Sequence, residues 1–101
     1  MSYSGPKQLK LLNYTIDVTV DKLPEEHIYA MWSPWLQKIK VSDKKMSPLV
    51  ERQTIIHELV HAIRSTNLGT RSLTEAQVEQ FALGFLSIIR DNKEFIKWVQ
   101  K

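Results

Sequence analysis

The stretch from Ser47 to Gly69 constrains this chain most, because it spells out the start, the body and the stop of one long helix. Ser47 can cap a helix whose first position is Pro48, where a missing amide hydrogen costs nothing, and Glu51 sits near the positive end of the helix dipole. Val50, Ile56, Leu59, Val60 and Ile63 supply an apolar stripe, while Asn67 and Gly69 offer a stop. The spacing predicts a helix over residues 48–66, long enough to be a core element, with Ile56 and Val60 on its buried side.

That helix carries the string His57-Glu58-Leu59-Val60-His61. Residues four apart on a helix differ by about 40° of rotation, so both imidazoles can reach one ion without distorting the backbone. Neutral imidazoles suit Zn²⁺, and Glu58, beside the first histidine, is placed to take a proton from activated water and not to act as a ligand. The chain has three histidines, His27, His57 and His61. A chance His-Glu-x-x-His at this composition is on the order of one in a few hundred, which makes coincidence a weak explanation. The competing explanation is an amphipathic helix bearing two surface histidines and a solvated glutamate.

A catalytic zinc takes three protein ligands and keeps a fourth position open, so one more donor is needed. The chain has no cysteine, which excludes thiolate ligation and disulfide stapling. Downstream, Ser72 or Thr74 can cap a second long helix with an apolar stripe through Val78, Phe81, Ala82, Phe85, Ile88 and Ile89. Glu75 and Glu79 share one of its faces. Either can complete a His₂Glu set while the other accepts a hydrogen bond from a ligating imidazole. Read without a metal, Ser72 and Glu75 form a capping box and Glu79 is a solvated helix charge.

At these residues the sequence resembles the small ImmA/IrrE-type metallopeptidases, in particular their minimal phage-encoded members. Thr54-Ile55-Ile56-His57-Glu58-Leu59-Val60-His61-Ala62-Ile63 looks like that family's active-site helix. Glu75-Ala76-Gln77-Val78-Glu79-Gln80-Phe81-Ala82 is similar to its glutamate-to-Phe-Ala element, and Ile39-Lys40-Val41 stands where the family has the edge strand lining its substrate cleft. The resemblance implies His57, His61 and Glu75 as zinc ligands, Glu58 as general base and Glu79 in a supporting position. Larger members often have glycine at the place of Val60, and a Leu-Met-Pro segment where Leu83-Gly84-Phe85 here continues the helix.

Ahead of the helices, Leu12–Val20 alternates as a β-strand. Residues 28–32 and 36–41 read as a hairpin around Ser33-Pro34-Trp35, the alternative being a short helix from Pro24 through Met31. Asn92 to Glu94 mark a break before a short terminal helix at Phe95–Val99. The expected fold is therefore α+β: a small sheet of about three strands, then two long helices forming a minimal zincin-like core, then a short C-terminal helix. With 101 residues, 43% of them hydrophobic, residues 1–101 can build one domain but not a separate regulatory one.

The opening Met1-Ser2-Tyr3-Ser4-Gly5-Pro6 is polar, and no apolar run approaches the ~20 residues that span a bilayer, so a cytoplasmic protein without a membrane partner is expected. Net charge is +3, but the densest basic group, Lys38, Lys40, Lys44 and Lys45, reads as a solvated edge strand, and nucleic acid is not the expected partner. Tyr29 and His27 are candidate oxyanion donors, and Tyr29, Trp32 and Trp35 a candidate subsite against which simple packing competes. The leading functional expectation is a zinc endopeptidase cutting a specific cytosolic regulatory protein, with an extended peptide pairing along Ile39 and Val41. The alternatives are a zinc-binding interaction protein with little or no proteolysis, and a nucleic-acid-associated protein with structural histidines.

Overall fold

The computed structural model describes residues 3–65 and 75–101, and within the second span the side chains of Glu75, Val78 and Glu79 lie outside the description. Among these residues four strands precede three helices. β1 (Gln8–Leu11) and β2 (Tyr14–Asp21) form an antiparallel hairpin, as do β3 (Ala30–Ser33) and β4 (Lys38–Ser42). β4 joins the two by running parallel to β2, with Val18 opposite Ile39 and Val20 opposite Val41, giving the order β1-β2-β4-β3. The helices are α1 (Pro48–Ser65), α2 (Glu75–Asp91) and α3 (Lys93–Gln100). None among the described residues is long and apolar enough to cross a membrane.

The α+β architecture follows the expectation, with one strand more than the three anticipated. The segment read as a single strand from Leu12 is the second arm of a hairpin whose turn is Leu12-Asn13, with Leu11 paired to Tyr14. Leu12 takes a left-handed φ of 56° there, a conformation for which glycine is the usual residue, so the turn carries no sequence signal. A second correction concerns Ile39-Lys40-Val41. These residues occupy an interior strand, and the edge beside α1 is β3. Ile39 and Val41 are fully buried because β4 has neighbours on both sides, so Lys38 and Lys40 project from the opposite face of an interior strand and do not guard an edge.

One sheet face, built from Leu9, Leu11, Ile16, Val18, Ile39 and Val41, packs against Ile55, Leu59 and Ile63 of α1, Ile88 of α2, and Phe95 and Trp98 of α3. α1 starts as its sequence dictates: the Val50 amide donates to the Ser47 hydroxyl at 3.3 Å, and the Glu51 amide to the Ser47 carbonyl at 2.9 Å. Its buried stripe is Glu51, Ile55, Glu58, Leu59, Ala62 and Ile63, whereas Ile56 and Val60, expected inside, are 39% and 37% exposed. The stripe is rotated from the purely apolar one because two carboxylates belong to it, and each has a backbone donor. Glu51 receives the Ser4 amide at 2.7 Å and the Ser4 hydroxyl at 2.8 Å, while Trp98 Nε1 donates to the same hydroxyl at 3.0 Å. The Glu58 carboxylate receives the Trp32 amide of β3.

Both sheet edges meet helical side chains. On β1, the Lys10 amide donates to Asn92 Oδ1 at 2.7 Å, Asn92 Nδ2 returns a bond to the Lys10 carbonyl at 2.8 Å, and the Leu12 amide donates to Ser87 Oγ at 2.9 Å. These bonds fix the C-terminal end of α2 to the sheet. Gly84 sets the crossing of α2 over α1: a Cβ there would stand 3.0 to 3.2 Å from three side-chain carbons of Ile63. On the far edge, Trp32 Nε1 donates to Ser65 Oγ at 3.3 Å, tying β3 to the last turn of α1.

Candidate metal centre

Because α1 buries the Glu51–Ile55–Glu58–Leu59–Ala62 stripe, the rotation of the helix delivers His57 and His61 to its solvent side. Their Nε2 atoms converge to 3.2 Å, with the rings edge to face, 72° between planes and 4.8 Å between centroids. Two imidazole nitrogens each about 2.0–2.1 Å from one tetrahedral ion stand about 3.3–3.4 Å apart, so the pair is spaced as two ligands of a single zinc. The same separation also permits one N–H···N hydrogen bond between neutral rings. A donor set of two exposed imidazoles without thiolate fits Zn²⁺.

Glu58 lies on the other side of the helix edge, 7% exposed, held by the Trp32 amide. Burial pushes its carboxyl above the ordinary carboxylate value, and His61, His57 and the Trp32 N–H each draw it back. A raised carboxyl is a better proton acceptor from water than an exposed one, the property wanted of a general base.

No group of three His, Cys, Asp or Glu side chains gathers among the described residues, and Glu75 and Glu79, the two candidates, have side chains outside the description. So do the expected stop at Asn67 and Gly69 and the expected caps Ser72 and Thr74. The structure places Glu75 at the first position of α2.

Of the residues weighed for oxyanion binding, His27 is exposed, its Nε2 3.0 Å from the Glu25 carboxylate. Tyr29 lines a cleft of about 440 Å³ together with His57 and Glu58. The aromatic subsite does not form as a unit: Trp35 is 96% exposed on the β3–β4 turn, and Trp32 turns toward Ser65. The sequence reading missed the Trp32 backbone amide as the partner of Glu58, and no residue type could have signalled it. It also missed Gln53 and Thr54, which line the same cleft. Their position four and three residues before His57, on one helix face, was the available signal.

Comparison with models of protein families, with curated proteins and with solved structures found no match.

Proposed function

We propose that this chain is a cytoplasmic zinc-dependent peptidase of the ImmA/IrrE type that hydrolyses peptide bonds in a specific regulatory protein. The observation that carries the reading is the 3.2 Å convergence of His57 and His61 Nε2 beside a buried Glu58 of raised pKa. His57 and His61 would hold the ion, with Glu75 as third ligand and Glu79 in support or in its place. Bound there, zinc would acidify water and polarise the scissile carbonyl. Glu58 accepts the proton of the attacking water and delivers it to the leaving amine. The edge strand β3, and not β4, is the strand beside which an extended substrate can lie.

Metal analysis of the purified protein, paired with digestion of candidate regulatory proteins and of a peptide library, tests the reading. One zinc per chain, lost in His57→Ala and kept in Glu58→Gln, together with cleavage abolished in both variants, is the expected result. A chain that binds no zinc, or cleaves equally well as Glu58→Gln, refutes it. The second reading is a zinc-binding interaction protein without turnover. It is favoured by the engagement of the Glu58 carboxylate with the Trp32 amide at 7% exposure, and stoichiometric zinc without any Glu58-dependent cleavage would select it.

A further inference from the structure

We propose that the outward face of α2 is a self-association surface, covered by the same face of a second copy of this chain with the two helices antiparallel about a two-fold axis. The proposal is independent of the peptidase reading. α2 is wound so that Gln77, Gly84, Ser87 and Ile88 are buried, while Ala82, Phe85, Leu86 and Ile89 are exposed. Phe85 is 41%, Leu86 52% and Ile89 60% exposed. Small and polar residues of the helix thus lie inside and bulky apolar ones outside. A helix that is apolar on both faces is one with neighbours on both.

The spacing of the exposed residues selects that neighbour. Positions 82, 85, 86 and 89 follow the i, i+3, i+4, i+7 pattern of a seam along one side of a helix, the pattern into which a second helix packs. From Gln80 to Ile89 the chain carries no charge. A two-fold contact sets a patch against its own copy, so a charged face repels itself and an uncharged one does not. With Leu83, 55% exposed, on its flank, the stripe offers on the order of 400 Å² of apolar surface, taking a bulky apolar side chain as about 200 Å². Two copies bring roughly 800 Å², and at the apolar share of about 65% found in homodimers this corresponds to about 1,200 Å² buried in all, the size at which specific stable interfaces begin. Antiparallel packing opposes the two helix dipoles, whereas parallel packing aligns them and brings the acidic start of α2, Glu75 and Glu79, beside its own copy. Those two glutamates precede the stripe, so the contact does not draw on the residues that the peptidase reading gives to the metal.

The test is sedimentation equilibrium of the full chain over a range of concentrations, with a chelator present so that no metal bridges the histidines of two copies. An interface at the small end of the stable range should give a monomer–dimer equilibrium with a Kd of about 1–100 µM. Leu86→Glu should weaken it by about tenfold or more while circular dichroism stays unchanged, because Leu86 is exposed. Trp35→Glu removes a still more exposed apolar side chain, 96% accessible on the β3–β4 turn, and should leave the equilibrium where it was. A single-chain mass at a concentration of about 500 µM, or association that Trp35→Glu weakens and Leu86→Glu does not, overturns the surface. Orientation has its own readout, since the chain has no cysteine and an introduced one reports its neighbour. In an antiparallel pair centred between Phe85 and Leu86, residue 86 lies near its own copy, whereas residue 82 faces residue 89 and stands about 10 Å along the axis from its own copy, beyond the reach of a disulfide. Under mild oxidation Leu86→Cys should therefore form a covalent dimer, Ala82→Cys alone should not, and a mixture of Ala82→Cys with Ile89→Cys should. Ala82→Cys protein that links to itself as readily as Leu86→Cys protein overturns the antiparallel arrangement. None of these readouts requires turnover, so they stand or fall apart from the peptidase reading.

Discussion

Asn92 closes the molecule in a way that can be measured. Its carboxamide is 8% exposed and makes three hydrogen bonds: it accepts from the Lys10 amide at 2.7 Å and donates to the carbonyls of Lys10 at 2.8 Å and Ile88 at 3.1 Å. Although Asn92 is the N-cap of α3, its side chain makes no capping bond there, so truncation removes the two bonds to Lys10 of β1 and the one to Ile88 of α2 and leaves the start of α3 uncapped as before. At a net 0.5–1.5 kcal/mol per bond, Asn92→Ala forfeits about 1.5–4.5 kcal/mol, and water reaching the exposed edge at Lys10 should return part of that. We expect a loss of about 2–3 kcal/mol. In urea unfolding followed by far-ultraviolet circular dichroism, with a slope of about 1–3 kcal/mol per molar, the midpoint should fall by roughly 1–2 M. The melting temperature should drop by about 10–20 °C, at some 4–8 °C per kcal/mol for a domain of this size. Asn92→Asp separates geometry from polarity: the carboxylate still accepts from Lys10 N–H but sets a charge against two carbonyl oxygens. Its folded-state pKa should therefore rise, and its stability should fall as pH increases through that titration. A midpoint for Asn92→Ala within about 0.3 M of wild type would refute the view that this clamp fixes α2 to the sheet.

Other expectations concern the site and the helix crossing. In metal-free protein, Glu58 is raised by burial, so the folded state holds its proton more tightly than the unfolded chain; wild type should lose stability relative to Glu58→Gln as pH rises through the carboxyl titration, and the two should converge in acid. Denaturant midpoints across pH check this, and a gap that does not change with pH counts against it. Gly84→Ala gains up to about 1 kcal/mol of helix propensity but crowds Ile63, at a cost of about 1–3 kcal/mol. The variant should be less stable by up to about 2 kcal/mol, and the sign should reverse in an Ile63→Ala background, where the crowded carbons are gone. Ser4→Ala strands the indole N–H of buried Trp98 and removes one of two donors to Glu51, which should cost about 1–3 kcal/mol by calorimetry.

The long helix was legible because both its start and its chemistry are local: Ser47 and Pro48 at one end, two histidines one turn apart in the middle. The layer order, strands before helices, was legible for the same reason. Strand order was not, since nothing in Ile39-Lys40-Val41 distinguishes a strand flanked on one side from a strand flanked on both; that depends on β2, some twenty residues earlier, pairing in parallel. The rotation of α1 escaped because Glu51 and Glu58 look like surface charges. Each is buried by a backbone amide far along the chain, from Ser4 and from Trp32, and an amide leaves no mark on a sequence. The Leu12-Asn13 turn escaped because leucine occupies a backbone conformation that glycine would have announced.

The bond between Glu58 and the Trp32 amide has a consequence for how this site tolerates change. A side-chain partner can be lost by any of many substitutions, but a peptide N–H is supplied by every residue except proline. Drift at position 32 can alter the tie to Ser65 and the surface of β3 while the base keeps its anchor. In a saturation survey of position 32, proline alone should abolish the anchoring of Glu58, leaving a single forbidden letter beside an otherwise permissive one.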